Sequence, residues 1–426
     1  MNTTPNRKRG KAADNATRSA ADNARSAVLA LLTLAFAATT LAQSTFQLHG
    51  FLSAREIYTS GQPSWLQGGF GRLDSGASDV NDHRMLTLGV AQIGAQWAPV
   101  SWLDVHAHGV ARRDQQGSGG KRAGLVEAYV DLHSEHFELR AGQFFLGTSR
   151  ENTDPLWTSP YTVNFSPLNT WIGEELRPIG VDLAWRPNFY VTAGATAFRD
   201  NDTLGALLAW RGWSVGNRLS VYDEVLPLPP LFSLPTDFAR QRPDGTVPFE
   251  NDLDGRTGLS GRIRLQLPER AMMQLTRVDN RGDRKLYRGE YAWQTHFNIA
   301  AAQIGLTSPA TVAAEYCWGA TGMGVPPHFV QADFATWYLL TSYKRGNDRY
   351  SIRFDTFSTE DRDGVAENNT EHGHSWVLAW MHDLTSNVRL GTELAQVTGN
   401  RLAAQQSGFS PNTDARSLTV EVRYGF

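Results

Sequence analysis

The feature that most constrains the fold of this chain is an alternation of apolar and polar residues. Near the C-terminus, for example, Leu418, Val420 and Val422 alternate with Thr419 and Glu421. A segment with this pattern forms a β-strand that has one apolar and one polar face. The segments have roughly 9–12 residues, the length of a strand that crosses a membrane at a tilt, and their connections are alternately short and long. Together these patterns favour a transmembrane β-barrel over a soluble β-sandwich.

The number of alternating segments sets the predicted size of the barrel. We count 18 segments between residues 46 and 426, and the two at 204–211 and 214–223 are the weakest, so 16 strands is the alternative. The predicted fold class is all-β: one transmembrane antiparallel β-barrel over residues 43–426, with a loop folded inward after the fifth strand. The mean hydropathy of -0.37 excludes a polytopic helical membrane protein, since each spanning helix needs about 20 largely apolar residues.

The N-terminal 42 residues have the composition of an export signal. Residues 1–26 are polar and basic, an apolar run follows at 27–38, and small residues stand at Thr40 and Ala42. This order predicts a signal peptide, 1–42, that is cleaved after Ala42; the alternative is an anchor helix that stays attached, but its apolar run is too short to span a bilayer. The single cysteine, Cys317, excludes an internal disulfide, a Cys-based zinc site and an iron–sulfur site.

The charge balance argues against a nucleic-acid partner. Without residues 1–42, the chain has 34 Lys+Arg and 41 Asp+Glu, a net charge of -7. A nucleic-acid-binding protein needs a basic face for the phosphates. We therefore expect the chain to bind no nucleic acid.

The C-terminal segment carries a more specific pattern. Residues 417–426 place apolar residues at every second position and end in Phe426. This segment resembles the assembly signal of Gram-negative outer-membrane barrels, and with the signal peptide it makes the chain resemble an outer-membrane porin. The resemblance implies a place in the bacterial outer membrane, in contact with the lipid bilayer and lipopolysaccharide. It also implies recognition of the last strand by the outer-membrane assembly machinery, a homotrimer, and no cofactor.

The segment after the fifth strand is the predicted constriction of the pore. Residues 139–144, Leu-Arg-Ala-Gly-Gln-Phe, resemble the porin strand that precedes a loop folded back into the barrel. The loop at 147–177 is rich in large aromatic residues, which an exposed loop rarely carries. The alternative is a loop that packs on top of the barrel or at a subunit contact. The candidate constriction residues are Asp154, Trp157, Tyr161, Trp171, Glu174 and Glu175.

Charged residues on the polar phase of the strands are predicted to line the pore. On the lipid face near the membrane midplane, each arginine would cost about 2–4 kcal/mol. We expect these arginines to face the loop acids and to create a field across the pore; alternatively they pair with acids on the wall, and both can hold. The candidates are Arg140, Arg186, Arg262, Arg264, Arg353, Arg389, Arg423, Glu127 and Asp182.

Other chemistry is weakly indicated. Asp104, His106 and His108 share one face of a strand, and residues 371–375 read Glu-His-Gly-His-Ser. Such residues can bind zinc or form a Ser–His pair, but wall-lining polar residues have the same spacing and no partner acid stands at a recognisable position. We therefore predict no metal site and no catalytic residue, and the chain is not expected to be an enzyme.

The predicted function is that of an outer-membrane porin for passive diffusion of small hydrophilic solutes. The first alternative is a substrate-preferring channel, in which Trp157, Tyr161 and Trp171 stack a sugar or an aromatic ligand. The second alternative is a plugged barrel that acts as an enzyme or as a surface-binding protein.

Overall fold

The computed structural model describes residues 44–79, 81–113, 120–249 and 252–426. In these ranges the chain forms one closed antiparallel barrel of 16 strands, in which each strand pairs with its neighbours along the barrel and the first pairs with the last. The predicted all-β barrel is confirmed. The alternative count of 16 strands is correct and the count of 18 is wrong. The predicted signal peptide, residues 1–42, lies outside the described residues.

The first half of the barrel has strands of 7 to 18 residues. Short turns join the strands at one end, which we call the turn end, and longer connections, except for the two residues 326–327, join them at the other, the loop end. The first eight strands are β1 Thr45–Ser60, β2 His83–Val100, β3 Leu103–Arg113, β4 Ala123–His133, β5 Phe137–Gln143, β6 Ile179–Trp185, β7 Val191–Arg199 and β8 Gly258–Leu267.

The second half contains most of the long strands. Its strands are β9 Ala271–Asp279, β10 Gln294–Ile304, β11 Ala310–Val325, β12 His328–Arg345, β13 Asp348–Asp361, β14 Glu371–Asp383, β15 Val388–Arg401 and β16 Asn412–Gly425. A two-stranded ribbon, Leu286–Tyr287 with Glu290–Tyr291, lies between β9 and β10.

The helical elements are short. The α-helices are α1 Pro167–Glu175, α2 Ala206–Trp210 and α3 Leu402–Gln406, and single 3₁₀ turns occupy Trp65–Gln67 and Pro155–Trp157. Within the described parts of the chain, none of the helices is both long and apolar enough to cross a membrane.

The two faces of each strand follow the alternation in the sequence. On β16, Leu418 and Val420 are exposed on the outer face, whereas Thr419 and Glu421 are buried on the inner face. Large apolar side chains are exposed in the same way on the other strands. A barrel with an apolar outer belt and a polar inner wall is the structure that a lipid bilayer requires of a sheet.

The segments 204–211 and 214–223, counted as strands from the sequence, lie inside the barrel instead. The first contains α2, and the second forms no strand and has one isolated β-bridge, from Val215 to Leu73. Their backbone groups bond to other interior segments: Phe165 N donates to Gly216 O at 2.8 Å, and Ser220 N donates to Gly173 O at 3.1 Å. Residues 201–216 are all buried. Residues 204–216 are therefore surrounded by protein and have no solvent face or lipid face, whereas Tyr222 near the end of the second segment is exposed. Alternation in such a segment does not make it a wall strand.

The apolar core lies inside the barrel, toward the loop end. Trp171 of α1 meets the rings of Phe297 on β10 and Phe334 on β12, with centroids 5.0 and 5.4 Å apart. Trp213, from the segment after α2, completes this cluster at 5.9 Å from Trp171. The core therefore joins the interior segments to one side of the wall.

Candidate functional site

Two chain segments enter the barrel, and we name them by their order. The first inner segment is residues 144–177, between β5 and β6, and the second inner segment is residues 200–249, between β7 and β8. Residues 165–177 and 201–216 within them are buried throughout. The inside of the barrel is therefore shaped by these segments as much as by the wall.

An arginine on the wall holds the first inner segment. Arg353 on β13 is completely buried and pairs with the Glu151 carboxylate. It also donates to the main-chain carbonyls of Asn164 at 2.7 Å and Phe165 at 3.0 Å, and its Nε donates to Asp355 at 2.9 Å. A buried guanidinium requires this degree of pairing, because an unpaired charge in the interior costs several kcal/mol. Arg353 was predicted to line the pore, and it anchors the segment to the wall.

Three wall carboxylates hold the same segment. Glu393 on β15 accepts hydrogen bonds from the Val163 and Asn164 amides. Glu127 on β4 accepts one from the Phe145 amide at 2.8 Å. Glu315 on β11 accepts one from the Asn169 side chain at 3.0 Å. Since all these wall groups lie on inner-facing positions, the first inner segment lies against the polar inner face of the barrel.

Helix α1 begins where the sequence offers an N-cap and a proline. The Ser166 hydroxyl accepts a hydrogen bond from Asn169 N at 3.3 Å, and Pro167 occupies the first turn, both common at helix starts. All nine residues of the helix are buried. Trp171 is 1% exposed, so a solute in the barrel cannot reach its ring.

Glu174 and Glu175 point toward the second inner segment. Glu174 pairs with Arg211 at 2.7 Å. Glu175 accepts hydrogen bonds from Gly205 N at 3.1 Å and Leu207 N at 2.9 Å, at the start of α2. Burial raises the pKa of each glutamate to about 7, even though Arg211 stabilises the charged form of Glu174. These two acids tie the inner segments together, and both are fully buried.

Asp154 is the loop acid whose charged form is favoured by arginines on the wall. It precedes the 3₁₀ turn at Pro155–Trp157 and is partly exposed. The positive charges that act on its carboxylate come chiefly from Arg389 and Arg423, near the turn end of β15 and β16. The expected opposition of loop acids and wall arginines stays a prediction for Asp154, whereas Glu174 and Glu175 bond to the second inner segment.

The two remaining aromatic candidates differ in accessibility. The Trp157 ring stacks on Phe145 with centroids 4.2 Å apart and is partly exposed. Tyr161 is 5% exposed, and its hydroxyl accepts a hydrogen bond from Gln303 at 3.2 Å. Of the three aromatic residues considered for stacking a ligand, Trp157 has the largest exposed surface.

Six of the seven predicted wall arginines form ion pairs with carboxylates on the barrel. The expected pairing with wall acids is thus extensive, and it includes the predicted Asp182. The pairs are Arg140–Asp131 at 2.8 Å, Arg186–Glu138 at 2.5 Å, Arg262–Asp182 at 2.6 Å, Arg353–Asp355 at 2.9 Å, Arg389–Asp383 at 2.8 Å and Arg423–Glu421 at 3.2 Å.

Arg264 on β8 is the exception. Its Nε donates to the Gln274 side-chain oxygen at 2.9 Å. Gln274 in turn donates to the main-chain carbonyl of Gly147, in the first inner segment, at 2.7 Å. Among the described residues, Arg264 has no carboxylate partner.

A charged cavity of about 170 Å³ lies at the turn end of the barrel, next to Arg264. One side is the start of the first inner segment, residues 144–147, and the other is the wall of β5 to β8. The lining contains four arginines and two carboxylates, so it carries a net charge of +2. These six residues are Arg140, Arg186, Arg262, Arg264, Glu138 and Asp182.

The residues considered for metal binding or catalysis do not form one site. His106 and Asp131 lie 3.8 Å apart, and the His108 ring contacts Gln92 at 3.0 Å, so these histidines belong to the polar wall. Along residues 371–375, Glu371 and Ser375 are buried on the inner face while the two histidines are exposed on the outer face. Their side chains therefore point in opposite directions from the sheet.

One acidic group at the loop end was missed from the sequence. Asp202, Asp252 and Asp254 place carboxylate oxygens within 4.8 Å of one another. The Asp-Leu-Asp-Gly spacing at 252–255 was a visible signal, but Asp202 lies far from it in sequence. The Asp202 carboxylate already accepts hydrogen bonds from the amides of Leu253 and Asp254.

The fold resembles solved outer-membrane proteins, whereas no protein-family model and no curated protein matches the chain. The outer membrane channel DcaP of Acinetobacter baumannii is 12% identical with a TM-score of 0.55, covering 91% of this chain and 99% of that one. An anion-selective porin from Comamonas acidovorans is 12% identical with a TM-score of 0.52, covering 90% of this chain and 100% of that one.

A third similar structure is described as a trimer. OmpT, an outer membrane protein of Vibrio cholerae in its trimer form, is 10% identical with a TM-score of 0.51, covering 90% of this chain and all of that one. This chain has the fold of these porin-like outer-membrane β-barrels. At these identities the likeness is one of fold, and together with the apolar outer belt it bears out the predicted bacterial outer-membrane location.

Proposed function

We propose that this barrel is an outer-membrane channel for the passive diffusion of small hydrophilic solutes. The observation that carries the proposal is the first inner segment, docked against the polar wall by Arg353, Glu393 and Glu127. A segment held in this way narrows the lumen without closing the charged cavity at the turn end. Rings and ladders of charge at such a narrowing set the selectivity of a pore.

The proposed orientation in the membrane is based on the different connections at the two ends of the barrel. The short turns face the periplasm and the long connections face outward, as in outer-membrane barrels generally. The outer belt contacts lipid and lipopolysaccharide, and the assembly machinery recognises the last strand through Phe426. The trimer form of OmpT, which has a similar fold, supports a homotrimer here. No cofactor and no nucleic acid take part, and we expect no enzymatic activity.

The plugged barrel is the second candidate, because the interior toward the loop end is densely packed. Residues 165–178 and 201–216 are buried without interruption. If they block every path, the barrel carries no current and would serve as a binding protein or an enzyme. The third candidate, a channel that stacks its ligand, depends mainly on Trp157, since Trp171 is enclosed.

Reconstitution of the refolded full chain into planar bilayers tests these candidates. The channel predicts discrete conductance steps, small ones because the inner segments narrow the lumen, together with swelling of liposomes in solutions of small sugars. Complete absence of both would overturn the channel in favour of the plugged barrel. Concentration-dependent current block by an aromatic glycoside, lost on Trp157→Ala, would favour the ligand-stacking channel over simple diffusion.

A further inference from the structure

The charges around Arg264 are poorly balanced. Arg150, Arg186 and Arg262 all act on its guanidinium with positive charge, and Glu138 is the acid that opposes them. The nearest carboxylates are already engaged: both oxygens of Asp182 accept from Arg262 at 2.6 Å, and Glu138 accepts from Arg186. Neighbouring guanidiniums in a partly enclosed space repel one another unless an anion lies between them.

Hydrogen bonds through Gln274 fix the position of the Arg264 side chain. Gln274, 2% exposed, accepts a hydrogen bond from the arginine Nε. The glutamine is itself fixed, because its amide donates to Gly147 O at 2.7 Å and to Thr276 at 3.0 Å. With Nε occupied, the two terminal nitrogens of Arg264 remain for a ligand. A guanidinium presents those nitrogens in a geometry that matches the two oxygens of a carboxylate or a phosphate.

We propose that Arg264, with Arg186 and Arg262 beside it, forms a binding site for a small oxyanion in the turn-end cavity. The ligand is a solute that carries a carboxylate or a phosphate group. The cavity of about 170 Å³ admits a solute of a few heavy atoms, since a water molecule occupies about 30 Å³ of liquid. The proposal deepens the proposed channel function, on which it rests, by naming the class of solute.

In the proposed channel, a solute that has passed the first inner segment would meet this site next, so the site would take part in transport. The site lies on the turn-end side of the first inner segment, where β5 to β8 form the wall. A net charge of +2 in the lining raises the local concentration of anions, and fixed positive charge in a low-dielectric cleft is effective in this. The site would hold an anion briefly on its way past the constriction.

Binding is measured with two small probes on the full chain in detergent micelles. Fluorine NMR follows line broadening of trifluoroacetate, with trifluoroacetamide as the neutral probe of the same shape, and phosphorus NMR follows inorganic phosphate. We expect broadening of trifluoroacetate and none of trifluoroacetamide. Displacement of trifluoroacetate by phosphate assigns the site to oxyanions in general, and failure of phosphate to displace it restricts the site to carboxylates.

Arg264→Gln is the test variant and Arg277→Gln is its matched control. Arg277 also bonds to a side-chain amide, Asn298, at 3.1 Å, but it lies on the outer face of β9. We expect Arg264→Gln to weaken trifluoroacetate binding about tenfold or more, because a hydrogen-bonded charge is lost, and Arg277→Gln to leave it unchanged. Equal binding by the wild type and Arg264→Gln would overturn the site.

The NMR measurement does not depend on conductance, so the two proposals can fail separately. Anion binding in a barrel that carries no current would refute the channel and leave the site standing. Conductance with equal trifluoroacetate binding in both variants would leave the channel and refute the site. As a folding check, both variants must show the wild-type shift between heated and unheated samples on a gel.

Discussion

The side-chain amide of Asn164 donates a hydrogen bond to the Glu393 carboxylate at 2.8 Å. The two residues are 229 positions apart, one in the first inner segment and the other on β15. The same carboxylate accepts the main-chain amides of Asn164 and Val163. One wall residue thus satisfies three N–H groups of a segment that enters the barrel, where an unpaired buried donor would be costly.

Replacing Glu393 with alanine should release the first inner segment from β15. The change leaves those N–H groups without an acceptor, at a cost of about 1–3 kcal/mol for each one that stays buried. We expect faster hydrogen–deuterium exchange in residues 160–170 and noisier single-channel currents. Glu135→Ala, which removes an exposed carboxylate from the turn between β4 and β5, is the control and should change neither. Unchanged exchange in Glu393→Ala would show that the other contacts suffice.

Replacing Arg353 with methionine should destabilise the barrel strongly. The variant leaves Glu151 and Asp355 buried without their cation, and breaking a buried pair in this way costs about 3–5 kcal/mol. The midpoint of urea unfolding in micelles, followed by tryptophan fluorescence, should fall accordingly. The double variant Arg353→Met, Glu151→Met should recover part of the loss, since it removes one of the stranded charges. A double variant no more stable than the single would contradict a direct coupling.

The contact between the inner segments should weaken as the pH rises. Burial raises the pKa of Glu174 and Glu175 to about 7, from the ordinary value of 4.5. The folded chain then binds more protons than the unfolded chain between these values. The stabilisation is fully present below pH 4.5 and is lost as the pH rises through about 7. Hydrogen–deuterium exchange in residues 167–211, corrected for its intrinsic pH dependence, should be slower at about pH 5 than at about pH 8.

The double variant Glu174→Gln, Glu175→Gln is the control for this pH effect. Glutamine keeps an acceptor for Gly205 N and Leu207 N but does not titrate between the two pH values. The difference in exchange should therefore shrink. A difference of the wild-type size in the double variant would assign the pH dependence to other groups, such as Asp202 or Glu367, whose pKa values burial also raises.

A side chain at Gly50 should impair closure of the barrel. A Cβ there would lie 2.5 Å from Gln92 O and 2.7 Å from the Phe426 ring, and Gly50 exchanges two backbone hydrogen bonds with Phe426, each at 3.0 Å. We expect Gly50→Val to lower the folded fraction, measured by the gel shift between heated and unheated samples. Gly261→Val on β8 is the control, because a Cβ there has no neighbour within 4 Å. Equal folded fractions would show that the seam tolerates the displacement.

The strands of the wall could be predicted from the sequence because the alternation that marks them is visible in a short stretch of residues. Each strand alternates residues between lipid and interior, and a short window such as 417–426 is enough to reveal this. The interior could not be predicted in the same way. Residues 204–223 were taken as two strands because nothing local distinguishes a chain surrounded by protein from a chain in the wall.

The same distinction separates the candidate site residues on the wall from those in the interior. The seven arginines were assigned to the inner face from alternation alone, and their exact partners depend on the register between strands. Glu174 and Glu175 looked like pore acids, but their partners Arg211 and Leu207 lie more than 30 positions away in the second inner segment. Gln274 carried no signal in the sequence, although it bonds to both Arg264 and Gly147 beside the cavity.

The anchors of the first inner segment have a consequence for the order of assembly. Glu151 and Val163 belong to the first half of the chain, whereas Arg353 and Glu393 arrive 202 and 230 positions later. Contacts over such distances form late, because the intervening chain must first be ordered. Until β13 and β15 are in place the first inner segment lacks these two anchors, although Glu127 on the earlier β4 can already bind its start at Phe145. β15 brings the last of these anchors, Glu393, and the next strand, β16, forms the seam with β1, so the fixing of the interior and the closure of the barrel depend on neighbouring strands.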